Sequence, residues 1–452
     1  MESRPRASLK SFLDQAGRFG RLDSEGVFTI SQQEALRKLA EFQLPRAQAW
    51  VLKIAQAAVS SGSPGLEFRQ SRKATTFSFS PTKSIDLEAL FRAILSHSDS
   101  ASKAIEHLAV GLRAVGFGGG RAFSLILTEG TQQTLLGWDG SRLGEGINSI
   151  GLRAGPGVGV CLGVAHPEVV EARAASQKKA LAAELEELVA GVEASPIPVL
   201  VNGKRVDSLG APLVDTGQGL GRRVILNLGW RPFSPDSGLP ELLLPAGIRC
   251  HKPSLRLTDR FTDDRVLRVD GDPDQRQISS ISKLSYGYHI DSHRSSLGRF
   301  RFHNKPRHSY VHWLLDGVVC ERHRWQFEPT AVAFDLYLSA AGLPTDASSL
   351  KIVRRPDVAH RISRALPWVG QQAESTARSL SRRVPRPFGH HTAIAGLFGL
   401  LAVTNPAVAL FQLMAGGVAA THLALSLYDK HQLMNDAAVH LRRVAQHLNK
   451  KA

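Results

Sequence analysis

Cysteine is nearly absent: Cys161, Cys250 and Cys320 are the whole set, and they lie far apart. A small, odd and dispersed set builds neither a disulfide framework nor the paired-thiolate spacing of a structural zinc site, and it fits a reducing cytosol. Acidic residues are also short in number. Forty Asp and Glu face 56 Lys and Arg, so the formal charge is +16 and the isoelectric point about 10.1. That surplus points to acidic partners: nucleic acid, an anionic membrane face or an acidic protein. The opening MESRPRASLKSFLDQAGRFGRLDSEG lacks the apolar centre of a secretory signal. Neither an internal repeat nor a Gly-x-Ser-x-Gly elbow or other nucleophile motif occurs, which leaves no candidate catalytic residue for covalent chemistry. His303, His308 and His312 match no common metal-site spacing and no carboxylate or thiol cluster completes them, so no metal is expected there. The last deficit is local: from Thr392 to Tyr428 the chain has no Asp, Glu, Lys or Arg.

What is present reads as globular. Hydrophobic residues make up 43% and charged residues 21% of 452, enough for two or three domains with ample core. Ser8 to Phe19 has the period of a short basic helix, with Leu9, Phe12, Leu13 and Ala16 on one face. Phe28 to Arg37 reads as a short strand and then a helix, with Ser31 as N-cap and Glu34 completing a capping box. The helix runs from Ala35 to about Phe42, and a second from Gln48 to Ser60. GLEFRQSRKATTFSFS follows as two strands, with Phe77 and Phe79 alternating against Thr76 and Ser78. Ser84 and Asp86 start a helix reaching Leu95, and a glycine-rich segment spans Gly111 to Gly120. Further strands are expected at Ala122–Thr128, Thr134–Trp138 and Val158–Val164, then a long helix from Val169 to Val192. An apolar strand next ends in Asn202-Gly203, a strong two-residue hairpin signal. Arg222 to Leu338 is mostly strands and turns.

The order and spacing from Trp50 to Ala114 resemble the GHKL ATPase superfamily of gyrase B, histidine kinases and the ninety-kilodalton heat-shock chaperones, and the match covers about residues 24 to 230. The resemblance implies an α+β fold: a GHKL-like (Bergerat) sandwich over 24–168, then a transducer-like, β-rich α/β domain over 169–350. An active member carries a general-base Glu four residues before a magnesium-binding Asn on the pocket helix, then an Asp-x-Gly-x-Gly turn under the adenine. Here Leu52 stands at the Glu position and Gln56 at the Asn position, while Ser80, Thr82 and Ser84 replace the Asp and the two glycines. A leucine accepts no proton, although general-base help is typically worth about 10²–10⁴ in rate. Gln56 keeps an amide oxygen one methylene further out, which implies at most weak ligation of magnesium. The lid-like segment offers Gly111, Gly116, Gly118, Gly119 and Gly120, whose backbone N–H groups could meet phosphates. Any cofactor is therefore expected to be weakly bound ATP or ADP with magnesium. The run Gln56-Ala57-Ala58-Val59 is also similar to uncharacterised bacterial chains with a degenerate ATPase of this type.

Residues 391–428 are expected to form an apolar helical hairpin of membrane type. About 20 apolar residues span a bilayer core, and Thr392 to Gly416 supplies them with a kink at Pro406. Two full spans do not fit, because turning at Asn405-Pro406 leaves a first arm of about 20 Å. Basic residues flank both ends: Arg378, Arg382, Arg383 and Arg386 before, and Lys430, Arg442, Arg443, Lys450 and Lys451 after. Positive residues favour the cytoplasmic side, so a hairpin that dips and returns satisfies both flanks. A basic linker is expected over 351–390, and an amphipathic tail within 429–452 with Leu441, Val444 and Leu448 as its stripe. The leading expectation is a membrane-tethered, non-hydrolysing scaffold or sensor on the cytoplasmic side, with a homo-oligomer or protein partner. The first alternative is an active, divergent, chaperone-like ATPase using Glu41 or Glu88. The second is nucleic-acid binding through the basic, aromatic stretch from Gln275 to Arg324.

Overall fold

The computed structural model describes residues 32–95, 102–155, 157–166, 174–206, 221–233, 239–242, 248–251, 264–267, 278–291, 302–304, 307–353, 356–382 and 435–450. It is an α+β protein with two mixed sheets, each covered by helices. Helix α1 (Gln32–Gln43) leads through a 3₁₀ turn (Ala47–Ala49) into helix α2 (Trp50–Ser60). Every residue of α2 from Trp50 to Ala58 is buried, including Lys53 and Gln56. A helix covered all round is a central element, and the polar residues it carries must find partners inside the protein.

Strands β1 (Leu66–Gln70) and β2 (Ala74–Phe79) pair antiparallel, with Phe68 opposite Phe77. Thr75, Phe77 and Phe79 of β2 point inward, the alternation visible in the sequence. Phe77 meets Phe68 edge-on at 5.0 Å and Trp50 at 5.5 Å between ring centroids, so these rings fasten α2 to the sheet. Helices α3 (Leu87–Leu95) and α4 (Lys103–Arg113) follow, and α4 runs on into a π-helical turn, Ala114–Gly118. Strands β3 (Phe123–Glu129), β4 (Gln132–Trp138), β5 (Leu143–Glu145) and β6 (Val160–Ala165) complete the antiparallel part. Helix α5 (Ala174–Gly191) returns the chain to β7 (Val199–Val201) and β8 (Lys204–Arg205). The sheet order is β5-β4-β3-β6-β2-β1-β7-β8, with β7 parallel to β1. Asn202 and Gly203, both with positive φ (49° and 78°), make the two-residue turn that the sequence announces. The helix and hairpin expected to open the second domain instead complete the first sheet. The apolar Val199 and Val201 are buried by pairing with β1, which draws the chain back onto the first layer.

The second sheet contains β9 (Gly221–Phe233), β12 (Ser280–Asp291), β13 (Phe302–Asn304), β14 (Arg307–Leu315), β15 (Val318–Thr330) and β16 (Val332–Ser339); β10 (Ile248–His251) and β11 (Asp264–Leu267) form a separate pair. Its order is β13-β12-β16-β14-β15, with β9 also on β12 and a parallel contact between β14 and β16. Two helices cover it: α6 (Pro356–Arg382) and α7 (435–450). Ser282 of β12 hydrogen-bonds Gln372 of α6, and Phe233 meets Trp368 at 5.7 Å.

The expected linker over 351–390 is corrected by α6. Its prolines suggested an irregular chain, but Pro356 occupies the first helical position, where no N–H is needed, and Pro367 is accommodated inside. The deciding signal is periodicity: Ile362, Ala365, Leu366, Val369, Ala373, Ala377 and Leu380 recur at helical spacing and all are buried. The amphipathic tail appears as expected, as α7, with Leu441, Val444 and Leu448 at 0–1% exposure. No helix among the described residues is long and apolar enough to cross a membrane. The hairpin expected over 391–428, the N-terminal helix of Ser8 to Phe19 and the cap at Ser31 lie outside the described residues.

One glycine tests the packing of the first sheet. A Cβ on Gly137 of β4 would stand 2.1 Å from the backbone oxygen of Ile147. Backbone cannot swing aside as a side chain can, so Gly137→Ala is expected to cost about 1–3 kcal/mol. A lower urea midpoint with an unchanged slope would show it; an unchanged midpoint would mean that the 147 loop does not lie on β4.

Candidate functional site

Of the residues singled out in the sequence, Leu52 and Gln56 are buried, whereas Thr82 and Ser84 are exposed. Leu52 packs on α5, where a Cβ on Gly191 would stand 2.3 Å from Leu52 Cδ2. Gln56 is fully buried and its Nε2 donates to the backbone oxygen of Leu315, at the end of β14, at 3.1 Å. Its Oε1, the atom that would ligate a cation, is closed from solvent and has no partner among the described residues. Ser80 Oγ donates to Gly157 O at 2.8 Å, and its backbone N–H to Ser63 Oγ at 3.1 Å. Thr82 Oγ1 donates to Ser61 O at 2.9 Å, while Ser84 is exposed.

The glycines of the expected lid lie at the helical end of α4 and in the turn after it, and four serve close packing. Gly111 faces Ile54 of α2, Gly116 faces Phe123 and Trp138, and Gly118 faces Ala40 of α1. Gly119 lies under the carbonyl of Val115, and Gly120, with φ at +61°, closes the turn. Ser80 and Thr82 instead bond to the backbone of Gly157 and Ser61. Glu41 and Glu88 are held in surface ion pairs with Arg37 (2.5 Å) and Arg92 (3.6 Å).

A cluster that the sequence reading missed lies where the two sheets' layers meet. Strands β14 and β15 are joined by Asp316 and Gly317, at φ 48° and 81°, and this turn lies along α2. Leu315 takes the Gln56 amide, and a Cβ on Gly317 would stand 2.6 Å from Val59. Asp316 reaches α4: its Oδ2 accepts from His107 Nε2 at 3.0 Å and its Oδ1 from Lys103 Nζ at 3.2 Å. On the other side of the ring, Lys53 Nζ lies 3.2 Å from His107 Nδ1. Lysine, imidazole and carboxylate thus form one chain from α2 through α4 to the second sheet. Lys53 is 1% exposed and His107 5%.

Electrostatics fixes the proton positions. Burial pushes the Lys53 ammonium down from 10.5 to about 8, against the pull of Asp316 and Asp346. Burial also lowers His107 below its ordinary 6.5, although the bond to Asp316 favours its charged form. Burial opposes the charge on Asp316, but the hydrogen bond from His107 and the nearby ammonium of Lys103 hold its carboxyl below 3.8. At neutral pH the consistent arrangement is an ammonium donating to Nδ1 and a neutral ring donating from Nε2 to the carboxylate. A cavity of about 80 Å³ adjoins it, lined among others by Gln43, Lys53, Glu106, His107 and Arg113. A larger one of about 380 Å³ lies between α5 and β15, with Arg46, Glu187 and Arg322 on its walls. Neither is lined by the nucleotide positions of the resemblance.

Asp316-Gly317 between the apolar runs WLL and VVC is a hairpin signal of the same kind as Asn202-Gly203, and it could have located this turn. Nothing in the sequence announces the partnership with Lys53 and His107. In the basic, aromatic stretch proposed for nucleic acid, Tyr286 is 0% and Trp313 1% exposed, while Tyr310 is half-buried. His312 stacks on Tyr337 at 4.4 Å and its Nε2 lies 3.1 Å from Asp335. His303 belongs to β13 and His308 to β14.

The shifted lysine gives a signed prediction. Lys53 is proton-poor in the fold between pH 8 and 10.5, so its contribution to stability rises with pH across that window. The span from 10.5 to about 8 corresponds to about 3 kcal/mol. Relative to Lys53→Met, the wild type is expected to gain stability between pH 7.5 and 10, read by urea unfolding at both values. A difference independent of pH would contradict the burial of this ammonium. His107 acts at the other end, where stability is lost as pH falls through 6.5.

No protein-family model matches this chain, and no curated protein matches it. Among solved structures, the crystal structure of the N-terminal domain of a DNA repair protein is similar at a TM-score of 0.33 and 12% identity, over 74% of this chain and 95% of that one. A likeness of that degree carries no argument about fold or function.

Proposed function

We propose that this protein is a GHKL-type scaffold or sensor, tethered to the cytoplasmic face of a membrane, which does not hydrolyse ATP. The observation that carries the reading is the state of the pocket helix. Leu52 cannot act as a base and packs on Gly191, while the Gln56 amide is bonded to Leu315 of the second sheet. The serine and threonine in the adenine turn bond to backbone oxygens of their own layer. These residues do not fit magnesium-nucleotide: Leu52 is no base, and the Gln56 amide oxygen is closed from solvent beside the β14–β15 turn. A buried amide that loses its partner costs about 1–3 kcal/mol, so opening this contact for a ligand is opposed. The tether rests on the charge-free run from Thr392 to Tyr428 and its basic flanks.

The test is calorimetric titration of ATP and of ADP, each with magnesium, into the full-length chain. A chain cut before α7 would leave that helix's partner face in water, so the intact protein is the proper sample. Neither binding in the micromolar range nor magnesium-dependent turnover is expected. Steady turnover that Gln56→Ala abolishes would overturn the reading in favour of a working ATPase.

A further inference from the structure

The hydrogen bond to His107 satisfies only part of the Lys53 ammonium. An ammonium has three donors, and His107 Nδ1 is the only acceptor that Lys53 Nζ has among the described residues. Two N–H groups are left over on a side chain that is 1% exposed. A charged donor that is buried and unmet is costly, so these groups need a further partner. Lys53 lines the cavity of about 80 Å³ described above, and that space is where a partner can stand. A water molecule needs at least about 10–15 Å³, so the cavity exceeds one water several-fold. Sites for small organic molecules and cofactors run to about 300–1,000 Å³, so a nucleotide is far too large for it.

Other elements bring polar groups to the same space. Arg113, at the end of α4, lines it and is 2% exposed. Its Nη1 donates to Ala93 O at 2.7 Å, and burial lowers the guanidinium from 12.5 to about 10. Gln43, the last residue of α1, is buried, and its side-chain oxygen has no hydrogen-bond partner among the described residues. Turning the amide over puts its NH₂ in that place, ready to donate. The neighbouring carboxylates are already engaged. Asp316 accepts from His107 and Lys103, and Asp346 accepts the backbone N–H groups of Ser348 and Lys351 at 3.2 and 3.3 Å. Glu106 is the one carboxylate among the described lining residues. The lining reaches solvent through Ala347, which is exposed, and through Glu106 and Ser349, which are half-buried. Ser349 has φ at 54°, in the left-handed region, and donates to Asp346 O at 3.0 Å, so this side of the cavity is a fixed turn.

We infer that this cavity binds one compact oxyanion, of the size and charge of inorganic phosphate, held by the Lys53 ammonium, the Arg113 guanidinium and the Gln43 amide. Two cations against one carboxylate make the lining net positive, and an oxyanion supplies the acceptors that the spare Lys53 N–H groups lack. Water supplies acceptors but no charge, which is a poorer match for two buried cations. The ion sits where the loop after β16 meets α1, α2 and α4, so its binding favours the docked arrangement of the two layers. The inference is independent of the membrane tether and of the state of the nucleotide positions, and it stands if either of those readings fails.

The test is calorimetric titration of sodium phosphate into the full-length chain at constant ionic strength, in a buffer whose own anion is too bulky for the cavity. Sodium chloride is titrated in parallel, and both salts are repeated on Lys53→Met and Gln43→Leu. One saturable phosphate site per chain is expected, with a dissociation constant at or below about 1 mM. It is lost in Lys53→Met and weakened about tenfold in Gln43→Leu, the worth of one hydrogen bond. Gln43→Leu replaces a buried amide by an apolar group of similar size, so it keeps the fold and carries the test should Lys53→Met unfold. Absence of saturable phosphate binding would mean that the cavity holds water only, and would overturn the inference. Phosphate affinity unchanged in Gln43→Leu or in folded Lys53→Met would place the ion elsewhere and overturn it as well. Chloride bound more tightly than phosphate would overturn the oxyanion assignment in favour of a halide.

Discussion

The structure depends on how a fully buried helix satisfies its polar side chains. Helix α2 has sheet, helices and the β14–β15 turn around it, yet it carries Lys53 and Gln56. Neither can reach water, and each is answered from the turn at Leu315-Asp316. Gln56 is answered directly, by a backbone oxygen, and Lys53 through His107 and then the carboxylate. Removing His107 leaves the Lys53 ammonium buried without its partner, while Asp316 keeps Lys103. The relative placement of the two layers follows from these bonds. Arg322 reinforces the placement from β15, bonding to Ala190 O at 2.7 Å and Glu193 at 3.3 Å.

The same arrangement engages two positions that the resemblance would give to a nucleotide: Leu52 packs on α5 and Gln56 bonds to Leu315. Gly111 within α4 and Gly118 after it allow close approach to Ile54 and Ala40, and Leu52 fills space beside Gly191. Asp316 brings an anion to cations of α2 and α4 from within the chain. The burial of Lys53 is a cost the rest of the core has to offset.

Much of the fold was legible because it rests on local periodicity. The alternation at Phe77 and Phe79, the helical run before Ser60 and the Asn202-Gly203 turn each carry their own signal. Helix α6 was not legible to a reading guided by prolines, because Pro356 at a helix start and a tolerated Pro367 look like breaks unless the apolar spacing is weighed first. The layer to which α5 and the β7–β8 hairpin belong was hidden too, since the parallel partner of β7 is β1, far back in the chain. Least visible was the Lys53, His107 and Asp316 chain, whose last link joins residues 209 apart in sequence. No spacing rule connects them; only the docking of the two layers does.

Hydrogen exchange over residues 50–61 and 309–320, with and without saturating magnesium-ATP, tests the central claim most directly. If α2 is closed by the β14–β15 turn, both segments are slow to exchange and nucleotide leaves them unchanged. Fast exchange at the turn would mean that the contact opens, and protection that changes in both segments when nucleotide is added would mean that α2 serves a ligand.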